Sequence, residues 1–237
     1  MKRSSIVQSL SLMLAIIAVP QWGFAADHGD VPTAAGGEPT ADITDLYAWM
    51  TDDSSKLNLV LDVASNAGVT TTFSPAVAFV FSISSSQAFG APQQSTTLTC
   101  KFIDTTNIEC WLGGEYVVGN PNVARGITSD SGKLRVYASR RDDPFFLEYK
   151  GFTNTVNEAV KQAVAGKVGF DATGCALLSV DQQSALLGLL THGDQGAPPS
   201  NTFAGQAVLA LVVQVDKTLI DAGGPMLGVW ASTHSVR

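Results

Sequence analysis

Charge is scarce in this chain. Only 15% of its 237 residues are Asp, Glu, Lys or Arg, the formal net charge is −7, and no basic cluster stands anywhere along it. The sequence therefore lacks the positive footprint that a nucleic acid or an anionic lipid surface selects. Catalytic signatures are equally scarce. There is no Gly-x-Ser-x-Gly, no His-Glu-x-x-His and no phosphate-cradling glycine loop. Of three histidines, His192 and His234 lie far from His28, and His192 reads as a polar helix end. A triad is defined by geometry rather than chain order, yet nothing singles out one serine. Past the N-terminus no apolar run reaches the about 20 residues that a membrane-crossing helix needs.

The N-terminus carries an apolar run too short for such a span. Lys2 and Arg3 precede an apolar stretch over residues 10–20, and Gly23-Phe24-Ala25 places small residues where a signal peptidase reads them. Residues 1–25 read as a signal peptide, cleaved after Ala25 or, alternatively, after Ala26. Its removal takes away two positive charges and moves the formal charge from −7 to −9. The mature chain, residues 26–237, is expected in the periplasm or outside the cell, with no membrane span. Its protein or small-molecule partner cannot be named from the sequence.

Export makes the three cysteines informative, because an oxidising compartment permits disulfides. Cys100 and Cys110 flank a hairpin-like run, TLTC-KFIDTTNIE-CWLG. A turn centred near Thr105 sets them opposite one another, which predicts a bridge rather than two buried thiols. Cys175 is left over, buried or unpaired, with no chemistry assigned.

The remaining pattern is that of strands. Residues 56–64 alternate Leu57, Leu59, Leu61 and Val63 with polar neighbours, and residues 76–83 are β-branched and aromatic throughout. Residues 46–50, 96–103, 107–112, 133–139, 145–149, 207–215 and 226–233 add further extended runs. Helical spacing occurs over residues 154–165, with a second helix over 180–190. Strands follow strands, which argues for a mainly β, single-domain antiparallel β-sandwich with two short helices inserted before the last strands. Residues 152–200 form the helical insertion. The aromatics Phe145, Phe146, Trp111 and Trp230 are expected in the core rather than on a ligand platform.

Three stretches together resemble a known family. They are ADITDLYAW (residues 41–49) preceded by Asp27-His28-Gly29-Asp30, RDDPFF (141–146) running on to Gly151-Phe152, and the C-terminal pair 203–215 with GVWAST (228–233). The combination resembles the bacterial exported proteins grouped as "domain of unknown function 4331". This chain departs in being compact and in carrying Trp49 where the family more often shows Phe. The resemblance implies an exported β-rich protein and no established activity, since fold alone does not fix function.

Two metal sites are conceivable on donor chemistry. Cleavage after Ala25 leaves Ala26-Asp27-His28, whose amine, two amides and imidazole suit Cu(II) or Ni(II) in a square plane; the competing reading has His28 merely packing near a flexible terminus. The second set is of oxygens. Asp42 and Asp45 lie three apart, Asp30 can fold back towards them, and Asp142 and Asp143 precede Pro144. On a common rim they would suit Ca²⁺, which takes six to eight oxygens. Against this, each carboxylate has a local use as a turn cap or backbone acceptor, and no twelve-residue calcium loop is present. The leading functional expectation is a non-enzymatic protein for binding or surface assembly. The competitor is an exported metalloenzyme or hydrolase using His28 and nearby carboxylates.

Overall fold

The alternation over residues 56–63 sets the first layer. In the computed structural model, which describes residues 38–192 and 196–235, this run is β2 (Lys56–Val63). Leu57, Leu59, Leu61 and Val63 are at most 3% exposed, because a period of two sends all four to one face. The signal segment, His28 and Asp30 lie outside the described residues.

Around β2 the chain builds β1 (Ile43–Met50), β3 (Val77–Ser86), β4 (Gln93–Phe102), β5 (Ile108–Leu112), β6 (Glu115–Gly119), β7 (Ile127–Thr128) and β8 (Leu134–Asp142). Then follow α1 (Tyr149–Val164), β9 (Gly169–Phe170), β10 (Ala176–Leu177) and α2 (Val180–Thr191), and finally β11 (Ala207–Asp216) and β12 (Met226–Ser235). Among the described residues two antiparallel sheets form a β-sandwich, with strand orders β1-β2-β11-β8-β7 and β12-β3-β4-β5-β6. Their inner faces interdigitate into one core. Leu57, Leu59, Leu61, Leu211 and Val213 come from the first sheet, and Phe79, Phe81, Ile83, Leu98 and Leu112 from the second. Phe73 stacks on Phe102 with ring centroids 4.5 Å apart, and Phe79 meets Phe73 edge-on at 5.5 Å.

The expected disulfide is present. Cys100 and Cys110 are directly opposed in the β4–β5 register, both fully buried and bonded to each other. The turn between them is held by Asp104, whose Oδ1 accepts from the amides of Thr106 and Asn107 at 2.7 and 2.8 Å. The Asn107 side-chain amide, donating to Oδ2 at 2.9 Å, and then those two amides favour the charged carboxylate and keep its pKa below the usual value.

At one margin the sheets are tied by Glu115 of β6, whose Oε2 accepts from the Ser129 and Ser131 hydroxyls at 2.6 and 2.5 Å. At the other margin the Thr233 hydroxyl of β12 donates to the Ala41 carbonyl at 2.6 Å. Gly224, at φ +138°, lets the loop before β12 press on the end of β3. A Cβ there would stand 2.4 Å from the Ser86 carbonyl oxygen.

Residues 142–206 form a second compact unit. Within it, Ser179 and Gln182 make a capping box that starts α2, and the Glu148 side chain caps α1 by accepting from the Gly151 amide. Gly151 is buried, and a Cβ on it would lie 2.8 Å from the Leu189 carbonyl oxygen of α2. The two helices therefore approach closely because this residue has no side chain. One expectation fails here: residues 145–149 are not a strand. Asp143 Oδ1 accepts from the Phe145 amide at 2.8 Å, and α1 has begun by Tyr149. The local turn and the helix cap outcompete the β propensity of two phenylalanines. No described helix is long and apolar enough to cross a membrane, which says nothing about strands.

Candidate functional site

The residues singled out for metal chemistry fall into three groups. His28 and Asp30 lie outside the described residues. Asp42 and Asp45 bracket the start of β1, where a bulge separates Ile43 from Asp45 in the pairing with β2. Asp142 and Asp143 belong to the second unit. Asp142 is exposed at the end of β8, while Asp143 supports the turn described above. Among the described residues no three His, Cys, Asp or Glu side chains form a group that could hold a metal ion.

What the structure adds beside Asp42 and Asp45 is Asp62. Asp45 and Asp62 are direct cross-strand partners, and Asp42 and Asp62 are 5% and 1% exposed. Parity in β2 points Asp62 away from the core, so the sequence pattern places it in solvent. It is nonetheless buried, as are Val208 and Ala210 on the same outward-facing set of β11. Facing carboxylates in a buried place repel unless donors or cations answer them. Asp42, Asp45, Asp62 and Tyr47 each have an interaction partner.

The outward face of the β12-β3-β4-β5-β6 sheet is a different kind of surface. Its register aligns a row Ser232–Val80–Thr99–Trp111–Tyr116, and beside it a row Trp230–Ser82–Thr97. A third row, Gly228–Ser84–Ser95, continues it. None of these residues is charged, but the adjoining row on the same face, His234–Ala78–Lys101–Glu109–Val118, sets Lys101 directly against Glu109. Trp111, Tyr116 and Trp230 are 38%, 46% and 60% exposed. This corrects the expectation that Trp111 and Trp230 are core residues; Phe146 is also exposed, and Phe145 packs against Phe203 with centroids 5.6 Å apart. The reason is parity. Ile108, Cys110 and Leu112 occupy the inner side of β5, so Trp111 must face outward.

Trp111 and Tyr116 form a tilted pair with centroids 5.8 Å apart. The Tyr116 hydroxyl donates to Glu109 Oε2 at 3.3 Å, and desolvation, followed by the Glu109 charge, raises its pKa. Trp230 is three strands away and two residues along. Strand spacing and rise put its backbone about 16 Å from that of Trp111. The sheet thus carries two aromatic stations on a field of serine and threonine hydroxyls, with the opposed Lys101 and Glu109 at one side. Chemically, such a face offers flat apolar contacts and short hydroxyl donors and acceptors, with the Lys101–Glu109 pair beside Tyr116.

The remaining histidines have local uses. His192 Nδ1 lies 2.9 Å from the Gly188 carbonyl at the end of α2, as a polar helix end should, and His234 Nε2 lies 2.8 Å from the Ser232 hydroxyl. Cys175 is free and exposed. No family model, no curated protein and no solved structure matches this chain.

Proposed function

We propose that the mature protein is exported and works by binding rather than by catalysis. Its ligand surface is the outward face of the β12-β3-β4-β5-β6 sheet, and its ligand class is an uncharged polyhydroxylated polymer, a neutral polysaccharide. The observation that carries this reading is the exposure of Trp111, Tyr116 and Trp230 on one hydroxyl-lined face whose two charges, Lys101 and Glu109, oppose each other across β4 and β5. Aromatic side chains are large, rigid and amphipathic, so they bind without losing much conformational freedom. Sugar rings present C–H faces that stack on such rings and hydroxyls that exchange hydrogen bonds with serine and threonine. On this face the single Lys101–Glu109 pair cancels, so it carries no net charge to favour an anionic or cationic polymer.

Export is supported by the signal-like N-terminus and by the buried Cys100–Cys110 disulfide, which suits an oxidising compartment. The resemblance to the "domain of unknown function 4331" proteins carries the same expectation. The test is retention of the mature protein on a panel of insoluble neutral and charged polysaccharides, with Trp111→Ala and Trp230→Ala beside the wild type. Each substitution should weaken binding to a neutral polymer at least about tenfold, as for an interface anchor worth about 1.4 kcal/mol or more, without lowering the melting temperature. Retention only on charged polymers, or retention unchanged in both variants, refutes the reading.

A further inference from the structure

A second surface lies at the seam where the sheets meet at β1 and β12. Each is an outer strand of its own sheet among the described residues. At one end the seam is closed by the hydrogen bond from Thr233 to Ala41. At the other it opens into a cleft of about 630 Å³, lined among others by Ala48, Trp49, Met50, Leu57, Leu227 and Val229. Leu46, Met50, Leu227 and Val229 pack against the core yet are only partly buried. The core is therefore incompletely covered along this edge.

The backbone of β1 explains what can cover it. The Thr51 amide donates to the Lys56 carbonyl at 2.9 Å, which marks Thr51 and Lys56 as a hydrogen-bonded pair. Antiparallel pairs alternate. The next bonded pairs with β2 are then Trp49–Asn58 and Tyr47–Val60, whereas Met50, Ala48 and Leu46 fall at non-bonded positions. The N–H and C=O groups of Leu46, Ala48 and Met50 accordingly point to the free edge, while their side chains share the core-facing side of the sheet with Leu57, Leu59 and Leu61. Edge strands are ordinarily guarded by lysine, proline, inward-pointing charge, a bulge or shortness. The bulge guards only the Ile43–Asp45 end of β1. From Leu46 to Met50 the sequence LYAWM holds no charge and no proline, and Ala48 and Trp49 are exposed.

We infer that β1 is an assembly edge and that its partner is β1 of a second copy of this chain, paired antiparallel about Ala48. This proposal is independent of the ligand face. The edge is self-complementary. Centring on Ala48 opposes Leu46 to Met50 of the partner copy and Ala48 to itself, so three outward-pointing backbone positions meet three others. It sets Asp45 against the partner copy's Thr51, so no carboxylate faces a carboxylate across the axis. Side chains of directly opposed residues lie on one side of a sheet, so both copies' Leu46, Ala48 and Met50 extend the apolar layer over the open cleft. The interface is isologous and closes at two copies, joining the β1-β2-β11-β8-β7 sheets into one continuous sheet.

The experiment is sedimentation velocity on the mature chain over a dilution series, with hydrogen exchange on the same samples. The wild type should convert from monomer to dimer with rising concentration, and the amides of Leu46, Ala48 and Met50 should gain protection in the dimer. Ala48→Pro removes an edge-facing N–H and no β1–β2 hydrogen bond, a position at which strands tolerate proline. It should weaken the dimer at least tenfold while leaving the circular dichroism spectrum unchanged. Ala48→Lys, which keeps the backbone intact and adds a guarding charge, should do the same. A wild type that stays monomeric overturns the proposal, whether the cleft is empty or releases a small apolar molecule on organic extraction. A dimer that persists undiminished in both variants overturns it as well.

Discussion

Removing the Cys100–Cys110 disulfide is the most quantitative perturbation the fold offers. The two residues are ten apart in sequence and fully buried at the centre of the β4–β5 pairing. In the chain-entropy model, closing a loop of this length in the unfolded state is worth about 2.7 kcal/mol at 25 °C. The hydrogen bonds around Asp104 favour the same turn and reduce that figure wherever they survive unfolding. The double variant Cys100→Ala/Cys110→Ala should therefore lose roughly 2–3 kcal/mol, with small losses of core contact added. For a domain of this size that corresponds to a fall in melting temperature of roughly 5–10 °C. Urea unfolding of oxidised wild type against the double variant, followed by tryptophan fluorescence, measures the difference. The reduced wild type should fall near the variant. A difference below about 0.5 kcal/mol would refute the loop-closure argument, since a bridge that constrains the unfolded hairpin cannot be so weak within that model.

Two further outcomes follow from named contacts. Gly151→Ala pushes a methyl group towards the Leu189 carbonyl oxygen, where 2.8 Å is available; the second unit should lose about 1–3 kcal/mol and become the preferred site of limited proteolysis between residues 142 and 206. Unaltered proteolysis would show that α1 and α2 yield without strain. Asp53 accepts from the Thr51 hydroxyl at 2.6 Å and from the Ser55 amide and hydroxyl, which lower its pKa from 3.8 to about 2. Because the folded value is depressed, its stabilising contribution is present above the unfolded value and is lost as pH falls through about 2. An NMR titration should show the Ser55 amide moving with a midpoint near that value, and a midpoint at the ordinary carboxylate pKa would contradict the hydrogen-bond geometry.

Much of the architecture is written in local pattern. The period of two over residues 56–63 is sufficient to orient β2, because side chains on a strand have no other way to alternate. The disulfide was legible from the symmetry of a hairpin about Thr105, and α2 from the pattern over residues 180–190, whose start the structure shows to be fixed by the Ser179–Gln182 capping box. β6 went unrecognised because five residues between glycine turns carry too little periodic signal; only pairing with β5 makes them a strand. The exposure of Trp111 was available in principle from the same parity that buries Cys110. Residue type suggested core, and position decided otherwise.

By itself, the sequence determined the β-rich class, the disulfide and the face on which each strong strand buries its side chains. These depend on neighbours within a few residues, where backbone geometry leaves little choice. Only the tertiary structure decided that Asp62 is buried beside Asp45, that Trp111, Tyr116 and Trp230 share one face, and that β1 is an outer strand of its sheet among the described residues. Each of those facts depends on which strand lies next to which. Strand order is set by the burial of the whole core, a quantity no short stretch of sequence contains.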